Sequence, residues 1–499
     1  MSPDDSNDAD PASPKASAAT DEPIGSSAIE TDSIRRRSWP RRALNRLEID
    51  RATFFAMSAR YWKLVAGPVT VLMIARFFSP EVQGYFYMFN TVLGFQTYFE
   101  ISIPQAIVMN TSHLWSKLQW TTDGGLTGDA GALARLGSLL RTAAAAFAAL
   151  AVVSGITLAA VGIWMFSHAE SSDQIDWFFP WLGLVGFAVL TFALTPFLSV
   201  LEGCHQVRPV YRMHLTREII GNLVVWGTMA AGANLWVPVF VMAVRLLIEI
   251  GLLIGSYRRL FGTLWRAPRT DSLDWRLEVM PFQIRLFLKG VFAFLRSDLM
   301  HVLVFNLQGP VVGGQMGLTW TILSSIRNAC SSWVRTRVPQ LGTLIQKRDW
   351  NEADRILFRV GRIAVVVMTG LVLAVVAVIV LMNAGSFHIA DRFLGPAPTL
   401  FLAIGLVAAL IKEFQWLYLH AHGRSPYLGF SVVGSLVCGA VIVAAVMSHG
   451  ATGAAVAFAF LQAIFLLPLS TWAFGHLRRQ WHSDDASAAA SVTSTVTGD

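Results

Sequence analysis

Gly361-Arg-Ile-Ala-Val-Val-Val-Met-Thr-Gly-Leu-Val-Leu-Ala-Val-Val-Ala-Val-Ile-Val-Leu-Met-Asn383 sets the class of this chain. The twenty residues from Ile363 to Met382 carry no charge. A run of that length spans the hydrocarbon core of a bilayer as a helix. Working outward, comparable apolar stretches fall at roughly 54–78, 84–111, 137–166, 177–201, 214–233 and 236–256. After a polar interval they resume at roughly 287–307, 312–334, 361–383, 398–420, 426–447 and 451–475. Each is expected to be a helix, because no other open structure satisfies its backbone polar groups in lipid. The expected fold is therefore an all-α polytopic membrane protein of about twelve transmembrane helices.

Composition agrees. The chain is 54% hydrophobic and only 14% charged, whereas a soluble domain carries about 25% charged residues. The net charge of +7 does not mark a nucleic-acid binder, because the basic residues lie between apolar stretches. The loops 112–136, 202–213, 257–286, 335–360 and 421–425 hold seventeen Lys and Arg, and the six opposite loops hold one, Arg392. That asymmetry places the basic loops and both termini on the cytoplasmic side. Residues 1–50 read as a disordered acidic tail ending in a basic segment. No apolar run in the tail marks a signal peptide. Arg35, Arg36, Arg37, Arg41, Arg42 and Arg46, mixed with Trp39, Leu44 and Leu47, suit an interfacial helix on anionic lipid or a topology signal. Residues 479–499 read as a second disordered tail.

The chain looks duplicated. Ser79-Pro-Glu-Val-Gln-Gly84 and Gly309-Pro-Val-Val-Gly-Gly314 both cross the first outer turn of a half, and Gly221-Asn-Leu-Val and Gly434-Ser-Leu-Val both open a fifth span. Two six-helix lobes follow, 51–256 and 287–478, joined by the cytoplasmic linker 257–286. Even span numbers make the lobes parallel, related by an axis along the membrane normal.

Ile74-Ala-Arg-Phe-Phe-Ser-Pro-Glu-Val-Gln-Gly-Tyr85 also resembles the first outer turn of lipid-linked oligosaccharide flippases. These form the polysaccharide-exporter branch of the multidrug/oligosaccharidyl-lipid/polysaccharide superfamily. The resemblance continues through Phe99-Glu-Ile-Ser, Leu201-Glu-Gly203, Gln308-Gly-Pro-Val-Val-Gly-Gly, Val338-Pro339, Arg348-Asp-Trp-Asn-Glu352 and Gly450-Ala-Thr-Gly-Ala454. It departs from that family in its long acidic tail. It implies a V-shaped bundle in the bacterial cytoplasmic membrane that opens alternately to either side. The implied cargo is a polyprenyl-diphosphate-linked glycan, and other polysaccharide-assembly proteins are the implied partners beside membrane lipids.

A desolvated diphosphate needs charge-assisted hydrogen bonds, ideally from arginine. Charges within spans are functional candidates by default. Arg296, Arg245, Arg327, Arg60 and Lys63 are the candidate substrate-binding cations. Each has a plainer reading: Arg245 shares a helix face with Glu249, Arg296 suits an interhelical ion pair, and Arg60 and Lys63 suit snorkelling to headgroups. Glu100 and Asp298 are candidates for ion coupling or counter-charge. The neighbours Lys412-Glu413 and Arg217-Glu218 read as interfacial, and His420 and His422 as loop residues. Gly67-Pro68 is expected to kink the first span, with Pro104 and Pro196 doing the same in the second and fourth. Cys204, Cys330 and Cys438 have no metal or redox spacing, and no cofactor or metal is expected.

Transport of a glycolipid is the leading expectation. An ion-coupled drug or cation antiporter would call for an anionic, aromatic cavity instead. A non-transporting component of a polysaccharide assembly complex is the reading from another class. An enzyme is not expected: the longest outer loops are about ten to fourteen residues, and P-loop, zinc and nucleophile-elbow motifs are missing.

Overall fold

The computed structural model describes residues 51–96, 103–121, 124–169, 174–268, 290–292, 294–421 and 428–496. The acidic tail, its arginines, Glu100, His422 and residues 269–289 of the linker lie outside the described residues. The chain is helical almost throughout: α1 (Arg51–Phe77), α2 (Pro80–Gly94), α3 (Ile103–Trp115), α4 (Ala130–Ser167), α5 (Phe178–Gly203), α6 (Val207–Ala230) and α7 (Val237–Arg266) form the first half. The second half holds α8 (Leu299–Arg335), α9 (Val338–Gln346), α10 (Trp350–Ala384), α11 (Pro396–Ala421), α12 (Leu428–Phe460) and α13 (Leu467–Val496). A hairpin of β1 (Leu118–Trp120) and β2 (Leu126–Gly128) interrupts the helical pattern inside a basic loop.

Local chemistry starts several helices. Ser79 accepts from the Val82 amide at 3.2 Å, and Pro80 opens α2 where its missing N–H costs nothing. Asp129 caps α4 at 2.7 Å through the Ala132 amide, and Asp349 caps α10 through Glu352. At the other end of α7, the Arg141 guanidinium donates to the carbonyls of Leu264, Trp265 and Ala267, each at 3.0 Å. One side chain thus satisfies a helix C-terminus and ties α4 to α7.

Six helical stretches are long and apolar enough to cross a membrane, and a seventh is added if the pair bent by 45° around Asp298 counts as one span. Large apolar side chains lie on their outer faces, with Leu381 and Met447 about 70% exposed (68% and 72%). Such a surface is stable only with lipid as solvent. This is a multi-pass membrane protein.

Two of the continuous helices fold back on themselves. In α8 the backbone breaks at Gly309, with φ 82° and ψ 169°. His301 and Trp320, nineteen residues apart, then meet with ring centroids at 5.0 Å. A straight helix would separate them by about 28 Å. In α12 the break is at Gly450, with φ 59° and ψ −140°, and Gly434 faces the Leu466 side chain beyond it. Both positions need a residue without Cβ, because L side chains rarely adopt positive φ. Gln308 fastens both turns together: its Oε1 accepts from the Ala451 amide at 2.6 Å.

The first pair of repeated segments meets itself. Between α2 and the arm of α8 beyond Gly309 runs the most extensive helix–helix interface among the described residues. A Cβ on Gly314 would lie 2.8 Å from the Gly84 nitrogen, one on Gly84 would enter the Pro310 carbonyl, and one on Gly317 would lie 2.6 Å from Tyr87 Cβ. Gln83 donates across the crossing to the carbonyls of Gly314 and Arg392, both at 3.1 Å. The second pair is not matched in depth, since Gly221 precedes the Gly232 turn by eleven residues and Gly434 precedes Gly450 by sixteen.

The apolar cores divide accordingly. One contains only residues of the second half, one only residues of the first. The third adds Phe305 and Leu318 to first-half residues at the crossing, where Tyr85 meets Phe305 edge-on at 5.2 Å. Helices α1 and α5 pass Pro68 and Pro196 as single elements, and Pro104 stands in the first turn of α3. The helix α13 runs to Val496, where sequence favours a polar tail. Ala486 and Ala488 to Ala490 supply high helix propensity there.

Gly84→Ala is expected to lower the melting temperature in detergent by several degrees, because its Cβ has no space. Gly67→Ala, also helical and open to solvent or lipid with nothing within 4 Å, is expected to be neutral or slightly stabilising. Equal melting temperatures for the two variants would refute the crossing as drawn.

Candidate functional site

Two clusters of charge lie inside the helical body. In the first half, Glu249 on α7 is 2% exposed at its side chain and takes two arginines on one oxygen. Arg217 on α6 reaches Glu249 Oε1 at 2.8 Å, and Arg245, one turn before Glu249, reaches it at 3.3 Å. Glu218 adds a weaker contact to Arg217 at 4.0 Å. Two guanidinia against two carboxylates leave this cluster balanced. Arg245 therefore adopts the paired arrangement that its spacing from Glu249 allows. The Arg217 side chain is largely buried beside the Glu249 carboxylate.

In the second half, Glu413 on α11 collects its partners from α8. Arg327 Nη1 donates to Oε2 at 3.1 Å, Ser331 Oγ to Oε1 at 2.6 Å, and Arg335 forks onto Oε1. These groups recur at four-residue steps from Arg327, so one face of α8 presents all three. The preceding residue, Lys412, donates to Gln462 Oε1 at 2.5 Å. Arg296 and Arg327 both stand close enough to act electrostatically on Lys412, and Cys438 on α12 lies near Arg296 and Lys412. Asp298 accepts from the Ser297 hydroxyl at 3.0 Å. Among the described residues, Arg296, Arg327, Arg335 and Lys412 thus gather around the Glu413 carboxylate, and cations outnumber carboxylates there.

Gln462 belongs to a six-residue π-helical segment, Leu461–Leu466, inserted between α12 and α13. The wider turn shifts the helix register locally, and such segments recur at functional sites. Here it accompanies the one polar side chain of an apolar run, which turns to meet Lys412.

The structure thus brings Arg296 and Arg327 of the sequence-derived candidates together, and keeps Arg245 in a separate cluster. Arg60 and Lys63 lie on α1, with side chains outside the described residues. Glu100 lies outside them altogether. Sequence reasoning placed Lys412 and Glu413 at the surface because adjacent opposite charges near a span end usually are. It missed Gln462, Ser331 and Arg335 as partners. A glutamine within an apolar span was the available signal. His420 stacks on Trp416, with ring centroids at 4.6 Å. Among the described residues no group of three or more His, Cys, Asp or Glu is arranged to hold a metal.

No protein-family model matches the sequence, and no curated protein matches it. Solved structures do. An inward-facing conformation of a multidrug resistance MATE family transporter of the MOP superfamily superposes with a TM-score of 0.55 at 11% identity, covering 85% of this chain and 99% of the other. A mutant of a MATE transporter from Vibrio cholerae gives a TM-score of 0.48 at 14% identity, over 86% and 96% of the two chains. The first likeness shows the fold: this chain adopts the helical architecture of those transporters.

Glu249→Ala leaves two guanidinia facing each other in a largely buried place and is expected to cost about 3–5 kcal/mol. Arg245→Ala leaves Glu249 paired with Arg217 and is expected to cost about 1 kcal/mol or less. Thermal unfolding of the purified variants checks the order, and a reversed order would show that Arg217 does not hold Glu249.

Proposed function

We propose that the protein is a membrane transporter that moves a polyprenyl-diphosphate-linked oligosaccharide, or a related polysaccharide precursor, across the bacterial cytoplasmic membrane by alternating access. Its twelve crossings form two six-helix lobes, 51–256 and 287–478. The hairpins at Gly309 and Gly450 support that count, because each divides one continuous helix into two antiparallel arms. The glycine crossing closes the outer end, and the basic loops mark the cytoplasmic end. In this reading the structure is the inward-facing member of the cycle, and the transporter fold supports it.

The positive excess around Lys412 carries the choice of cargo. A diphosphate entering a low-dielectric cavity must exchange its water for charged donors, and Arg296, Arg327 and Lys412 supply them. Arg245, a third exposed at its side chain, and Arg60 and Lys63 on α1 are the first lobe's contribution. Asp298 and Glu100 act as counter-charge or couple the cycle to an ion gradient. The second reading is an ion-coupled drug or cation antiporter, favoured by the multidrug transporter that shares the fold. A cationic drug would meet repulsion at Lys412 and Arg296, which places that reading behind the first.

Lys412→Ala and Arg296→Ala are each expected to slow translocation of a lipid-linked oligosaccharide in proteoliposomes by about tenfold or more, roughly 1.4 kcal/mol of lost stabilisation. Wild-type rates in both variants would remove the cluster from the cargo path. Faster uptake of a cationic dye by the same variants would favour the antiporter.

A further inference from the structure

The helix α10 carries two different faces. Ala353, Leu357, Gly361, Ala364, Met368 and Val372 are buried against the rest of the second half. The opposite face begins with Arg355, Phe358, Arg359 and Arg362, all exposed, and from Ile363 to Leu381 its large side chains are apolar. At 35 residues α10 is about 52 Å long. A hydrocarbon core of about 30 Å cannot contain it, so its arginine-bearing first turns stand at headgroup level. These residues line a recess of about 460 Å³ formed by Arg355, Phe358, Arg359, Arg362 and Ile363. Arg478 of α13 lies over the Phe358 ring at 5.9 Å and flanks it.

Nearby acids leave the recess positive. Glu352 pairs with Arg355, at 3.5 Å between exposed side chains, and Asp354 is taken by Arg478. Arg359 and Arg362 form no ion pair among the described residues. Their guanidinia stand where the helix enters lipid, above an apolar floor of Phe358 and Ile363. Seven residues separate Arg355 from Arg362, a rise of about 10 Å. Two phosphates joined by a short glycerol bridge can each meet a guanidinium over that length, with acyl chains running along Ile363 and Val366.

We propose that this recess is a binding site for an anionic diphosphatidyl glycerolipid of the cytoplasmic leaflet, distinct from the cargo path. Basic pockets on that side of a membrane protein suit such headgroups, and arginine grips phosphate with paired donors. The assignment to the cytoplasmic leaflet rests on the topology proposed above, whereas the lipid site itself does not require transport. The test is native mass spectrometry of the purified full chain with diphosphatidylglycerol, phosphatidylcholine or inorganic diphosphate added. The wild type is expected to retain one diphosphatidylglycerol in preference to phosphatidylcholine. R355Q/R359Q/R362Q is expected to retain it at least tenfold less. R208Q/R212Q/R258Q, an equal loss of exposed basic charge elsewhere, is expected to behave as wild type. Undiminished retention by the first variant overturns the site, and equal loss in both variants reduces it to bulk charge. Displacement of the lipid by inorganic diphosphate assigns the recess to free anions and overturns the lipid proposal. Unaltered glycan translocation in R355Q/R359Q/R362Q, beside lost lipid, separates this site from the cargo cluster.

Discussion

The backbone contact of Gly84 with Gly314 and Pro310 is the constraint on which the architecture turns. In lipid, helices gain nothing from hiding apolar surface from each other, so association relies on close packing and interhelical hydrogen bonds. Glycines let α2 and α8 approach until their main chains touch, and Gln83 then donates to two carbonyls that the approach brings within reach. Gln308 on the Ala451 amide and Gln315 on the Asp391 carbonyl (2.8 Å) repeat the device at the neighbouring turns. Three glutamines therefore fasten one end of the molecule through neutral bonds. Such bonds can be exchanged for water without the expense of separating buried charges.

Away from that end each half keeps its own core and its own charges. The pairing of Arg217 and Arg245 on Glu249 joins α6 to α7 within the first half, and that of Arg327 and Arg335 on Glu413 joins α8 to α11 within the second. Each of these pairings lies within one half. That division leaves these pairings intact if the two halves part. Among the described residues the two clusters are unequal: guanidinia and carboxylates balance around Glu249, and cations outnumber carboxylates around Glu413.

Much of this was legible in sequence. Uncharged runs of about twenty residues located the helices, because lipid enforces one backbone solution. The resemblance between 79–84 and 309–314 marked two similar turns, and their contact with each other was not legible. Long-range partners were not legible: Arg217 and Glu249 are 32 residues apart, and Glu413 and Arg327 are 86 apart. Adjacent charges such as Lys412-Glu413 look like a local pair, yet successive helical residues point about 100° apart and serve different neighbours. The hairpin breaks were legible as Gly-containing turns. The π-helical segment was not, because nothing in Leu-Gln-Ala-Ile-Phe-Leu distinguishes it from an ordinary turn of helix.

The two similar turns reach one crossing by different local chemistry. Ser79 starts α2 from an extended conformation with a side-chain cap, whereas its counterpart Gly309 reverses the chain with a positive φ. The two solutions meet at the same crossing of Gly84 with Gly314. The same freedom extends over the lipid-facing surface, where Val, Leu, Ile and Phe are nearly interchangeable. A fold shared at 11% identity is what such a system allows: a few close contacts are fixed, and the rest answers only to lipid. The charged residues are the exception, because each buried charge must find its partner or its ligand. They are therefore where the two halves differ most.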